Sequence, residues 1–100
     1  MDRFADFLRL QIDIDLELLR LARERAEAGT EPAAAHLRGF RECELKTRLL
    51  TTHRWCGRGS GPCDRLGESY PPEDERGCPT RALLGLPYAD RPGYAPRWRP

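Results

Sequence analysis

A chain of 100 residues forms one small domain, at a length where a hydrophobic core alone is marginal. With 39% hydrophobic and 33% charged residues it reads as a soluble globular protein, and a net charge of +1 draws it neither to nucleic acid nor to an anionic membrane. No stretch approaches a membrane span, and the opening MDRFADFLRLQIDIDL is broken by acids and arginines, which argues against a secretory leader.

Residues 2–28 carry the pattern of an amphipathic helix. At 100° per residue, Phe4, Phe7, Leu8, Ile12, Leu18, Leu19, Ala22 and Ala26 share one face. Leu10, Ile14 and Leu21 widen that face to roughly half the circumference, more than one neighbour would bury. Gln11 and Asp15 stand near its middle. A carboxylate there is read as the partner of an arginine or hydroxyl from another segment, with a catalytic acid as the alternative.

AGTEP breaks this helix, and Pro32 suits the first turn of a second one running to about His53. Leu37, Phe40, Cys43, Thr47 and Leu50 recur on one face at spacings of three and four. His36 is read as an ordinary surface or cap residue. The simplest arrangement of two such helices is an antiparallel hairpin.

From Thr52 onward eight prolines and seven glycines occupy 49 residues, so regular structure there must be short. CPTRALLGLP is the exception. Pro79 opens a short helix, Gly85 closes it, and Pro87 prevents its continuation. Beyond it, Tyr88, Tyr94 and Trp98 lie in a proline-rich tail, where aromatics pack back on the body.

This half of the chain also holds the pattern H-x2-C-x6-C-x14-C, formed by His53, Cys56, Cys63 and Cys78. Three thiolates and one imidazole are an accepted tetrahedral set for structural zinc, and a segment too poor in apolar residues to bury a core gains shape from such a centre. Its spacing matches none of the common finger patterns. In a reducing compartment thiols favour metal over disulfides, although a Cys63–Cys78 bridge stays open. Cys43 and His53, ten residues apart on one helix, are separated by about 15 Å and cannot share an ion. Cys43 is therefore read as a buried, space-filling thiol. The alternative set of Cys43, Cys56, Cys63 and Cys78, for zinc or an iron–sulfur cluster, needs the helix to end early.

Catalytic zinc would need an open coordination position and a nearby acid or base. Four protein ligands close the shell, and Glu68, Glu73, Asp74 and Glu75 read as a solvated charged run between ligands. No HExxH, GxSxG, phosphate-binding glycine loop or deaminase His-x-Glu is present, so the chain is not read as an enzyme. For nucleic acid the one suggestive stretch is Arg91, Tyr94, Arg97, Trp98 and Arg99, which could contact phosphate and stack on bases. The plainer reading packs the aromatics on the helices and leaves the arginines in solvent.

Three stretches resemble a family of small uncharacterised proteins of actinobacteria and their phages, a domain of unknown function. FLRLQIDIDLELLR is similar to that family's opening helix, FLRARLDEDE. RECELKTRLLTTH is similar to its second helix, with a Glu-x-Lys-x-Arg core and a terminal histidine. CPTRALLGLPYADRPGYAPRWRP resembles its closing signature of cysteine, leucine-rich run, YADHP and tryptophan, with Arg91 standing in place of that histidine. Together the stretches cover about half the chain. The resemblance implies a metal knuckle with His53, Cys56, Cys63 and Cys78 in the matching places, the cysteine pair here spread to C-x6-C. Many members also insert a Trp-rich stretch between the helices, where this chain has only AGTEP, so a more purely helical protein is expected.

These readings converge on one mainly α domain over 1–100. It comprises helices at 2–28 and 32–53, metal-binding loops at 54–78, and a short helix with an aromatic tail at 79–100. The expected function is a cytoplasmic zinc-binding structural or adaptor protein whose partner is another protein or a second copy. The alternatives are a nucleic-acid-binding zinc module and a redox-sensing cysteine protein.

Overall fold

Residues 3–28, 36–54 and 75–100 are described in the structure, a computed structural model. Among them are three α-helices, α1 (Arg3–Ala28), α2 (Leu37–Thr52) and α3 (Pro79–Gly85), two 3-10 turns at Leu86–Tyr88 and Pro96–Trp98, and no strand. The protein is mainly helical. Pro32 and the AGTEP connection lie outside the described residues, as do Cys56, Cys63, Glu68, Glu73 and Asp74.

No glycine or proline interrupts α1, and Asp6 in its first turn and Arg25 in its last complement the helix dipole. Its buried side chains are Phe4, Ala5, Phe7, Leu8, Gln11, Ile12 and Ala26. Burial is narrower than the apolar pattern predicts. Leu10, Ile14 and Leu21 are exposed, and so is Leu18, which the periodicity places on the buried face. The cause is tertiary. The C-terminal segment covers the first turns of α1, whereas the described contacts farther along come from α2, where Leu19 meets Gly39 and Arg23 stacks over Phe40.

Helix α2 buries Cys43 and Leu50, half-buries Phe40, and leaves Leu37 and Thr47 exposed. The hydroxyls of Thr47 and Thr51 donate to the carbonyls of Cys43 and Thr47, which satisfies them on the helix itself. His36 occupies the N-cap position without a side-chain capping bond.

The core forms where α1, α2 and the C-terminal segment meet. Phe4, Ala5, Phe7 and Leu8 pack with Leu50, Tyr88 and Trp98, and Leu84, Tyr94 and Ala95 close the edge. Trp98 is the hub, with ring centroids 5.2 Å from Phe4, 5.3 Å from Phe7 and 5.6 Å from Tyr94. Edge-on and tilted pairs of this kind contribute about 0.5–1.5 kcal/mol each beyond burial. The tail therefore does pack back on the body. Helix α3 has the expected bounds, but Gly85 does not act as a left-handed cap, since its φ is −80°. It is small because a Cβ there would stand 3.0 Å from the Phe4 ring and 3.3 Å from Tyr94.

Candidate metal centre

The end of α2 and the start of α3 bring two of the four expected ligands together. His53 is the C-cap of α2, its N–H donating to the Leu49 carbonyl at 3.0 Å. Cys78 is the extended N-cap of α3, and Pro79, suited to the first helical position, fixes where that helix begins. Cys78 is fully buried, with Sγ 3.4 Å from His53 Nδ1. Two donors held about 2.3 Å (S) and 2.0–2.1 Å (N) from one tetrahedral zinc stand about 3.6 Å apart. The observed separation is thus close to what a shared ion requires. Cys56 and Cys63 lie outside the described residues, and among the described residues no group of three or more metal-ligating side chains forms.

Arg81, one turn after Cys78, is 1% exposed. Its guanidinium donates to the Arg54 carbonyl at 2.8 Å and the Glu75 carbonyl at 3.3 Å, tying α3 to the end of α2. A buried cation needs such hydrogen bonds. Nothing in the spacing singled out Arg81, because an arginine at that position looks like any exposed helical arginine. Glu75 departs from expectation too. It is not a solvated acid but is largely covered, accepting the Trp98 indole N–H at 3.0 Å and an Arg97 N–H at 3.1 Å.

Cys43 stands apart from this centre. It is 3% exposed in the middle of α2, ten residues before His53, and the helix continues to Thr52 instead of ending early as the all-cysteine set requires. Burial pushes its thiol above the ordinary range, and Asp15 adds to the shift. A thiol so protonated is a poor nucleophile and redox sensor.

Asp15 belongs to a second polar cluster. Its two carboxylate oxygens accept from the Tyr88 hydroxyl at 3.1 Å and from Arg91 Nη2 at 2.8 Å. Arg91 also donates to Gln11 at 3.2 Å, and Lys46, the one lysine of the chain, donates to Tyr88 at 3.0 Å. Both cations also stack on the Tyr88 ring, at 4.9 Å for Lys46 and 4.8 Å for Arg91. The two odd polar residues of α1 are thus accounted for by a partner arginine and a hydroxyl. Burial holds the Tyr88 phenol above its ordinary range against the lowering effect of Lys46. With Asp15 so engaged the arrangement is a structural tie between α1, α2 and the tail.

The profile of one protein family, described as a family of unknown function (DUF6221), matches residues 1–100. The chain belongs to that family. No curated protein and no solved structure matches it. Among the described residues, no helix is long and apolar enough to cross a membrane.

Proposed function

We propose that this DUF6221 protein is a zinc-stapled helical adaptor, an antiparallel hairpin of α1 and α2 whose C-terminal segment is held by one structural zinc. The ligands are His53, Cys56, Cys63 and Cys78. The observation that carries this reading is the approach of the Cys78 thiol to His53 Nδ1 at 3.4 Å, between elements 25 residues apart in sequence. A structural centre closes its coordination shell, so no enzymatic activity is proposed, and its reduced thiols suit the cytoplasm.

The adaptor role rests on the outer side of α1, where Leu10, Ile14, Leu18 and Leu21 remain exposed within one arc of the helix. An apolar stripe of this kind, bordered by charge, is suited to another protein or to a second copy. The nucleic-acid reading loses support, because Arg91 and Arg97 spend their charge on Asp15 and Glu75.

Elemental mass spectrometry on reduced, untagged protein tests the centre. One zinc per chain is expected, retained in Cys43→Ala and lost or weakened in His53→Ala and Cys63→Ala. Metal-free wild type, or iron that depends on Cys43, would overturn the assignment.

A further inference from the structure

Glu75 and Cys78 sit three residues apart and face different partners. Cys78 sets its thiol against His53, at the end of α2. Glu75 accepts from the Trp98 indole and from Arg97, and Arg76 donates to the Arg99 carbonyl at 3.0 Å. Arg81 fastens the same segment to α2 through the carbonyls of Glu75 and Arg54. Gly77 makes this closure possible, at φ 75°, because a Cβ there would meet the Arg81 side chain at 2.8 Å. Four residues thus join a metal ligand to three polar contacts that hold the last residues of the chain. Those residues place Trp98, 4% exposed, over Phe4 and Phe7.

We infer that metal ligation at Cys78 and the seating of Trp98 on α1 are coupled, so that the metal latches residues 75–78 and the latch holds the aromatic cover closed. The inference rests on the zinc reading above. Without the ion, the hydrogen bond left to the Cys78 side chain among the described residues is a weak S–H···N contact to His53. A segment so loosened no longer presents Glu75 at a fixed place, and a buried indole N–H without its acceptor is costly. Undocking of Trp98 then exposes the rings of Phe4 and Phe7. Linkage makes the coupling reciprocal, and weakening the Glu75–Trp98 contact must weaken zinc binding.

The test uses the full chain with Trp55, the other tryptophan, replaced by phenylalanine, so that Trp98 is the single reporter. Its emission is followed while zinc is stripped by a chelator and returned, with zinc content measured on the same samples. The expected result is a red shift on stripping that zinc reverses. In competition with a chelating dye, Glu75→Ala should bind zinc about fivefold or more weakly. Glu75→Gln, which keeps an acceptor for the indole, should recover most of that loss, and Glu17→Ala, from an exposed pair on α1, should change nothing. Where stripping also unfolds α1 and α2, the Glu75→Ala affinity alone decides. One zinc per chain, with unchanged Trp98 emission and wild-type affinity in Glu75→Ala, would overturn the coupling and leave the zinc centre standing. A chain that takes up no zinc would overturn both.

Discussion

Tyr88 shows how much of this fold depends on single polar atoms. Its hydroxyl donates to Asp15 and accepts from Lys46, while Lys46 and Arg91 both stand over its ring. Replacing Asp15 by alanine removes the acceptor of the Tyr88 hydroxyl and the carboxylate partner of Arg91, leaving them only Lys46 and Gln11 among the contacts described above. Charge-assisted hydrogen bonds of this kind contribute about 1.5–3 kcal/mol, and a loss in that range is expected in urea unfolding. The cluster also sets an alkaline limit. Tyr88 in the folded protein holds its proton above the ordinary value of 10.0, and Cys43 above 9.0. For both, the folded state keeps a proton that the unfolded state gives up first. Their stabilisation is fully present below those ordinary values and is lost as pH rises through the folded ones. Thermal midpoints should therefore fall in the alkaline range, and Tyr88→Phe should flatten the part that follows tyrosinate absorbance.

The elements follow from their residues to different degrees. Helices α1 and α3 keep their predicted bounds within a residue because their signals are local: an unbroken run of helix formers in one, Pro79 at the first position in the other. The role of Gly85 was not legible, since a helix-ending glycine and a glycine under a phenylalanine ring look the same in sequence. Adding a methyl group separates them. Gly85→Ala meets two aromatic rings and should cost about 1–3 kcal/mol by overpacking, with the loss transferred to Phe4 and Tyr94. Gly77→Ala combines a left-handed backbone with contact on Arg81 and should cost at least about 1–2 kcal/mol. Chemical denaturation of the two variants checks both values, and an unchanged midpoint for Gly85→Ala would mean that Phe4 can move aside.

For the whole molecule, the described core is small and lies toward one end of α1, built around Trp98, Phe4 and Phe7. A chain of this size gains from a staple. If zinc binds as proposed, free zinc one hundredfold above its dissociation constant should stabilise the folded state by about 2.7 kcal/mol, seen as a thermal midpoint that rises with zinc concentration. On the proposed ligand set, chelation should lower that midpoint in the wild type and in Cys43→Ala alike, because that set leaves the buried Cys43 out. Equal midpoints with and without chelator would show that the C-terminal segment holds itself closed.

The sequence by itself determined helices α1 and α3, the return of the aromatic tail and the isolation of Cys43 from His53, because periodicity, proline placement and rise per residue are local quantities. It also marked Gln11 and Asp15 as misplaced on an apolar face. Only the tertiary structure decided that Arg91 and Tyr88 meet Asp15, that Arg81 is buried and Glu75 largely covered, and that Leu10, Ile14, Leu18 and Leu21 are left uncovered. Burial of a charge depends on partners distant in the chain, such as the Glu75 carboxylate 23 residues from the Trp98 indole, and no spacing rule carries that information.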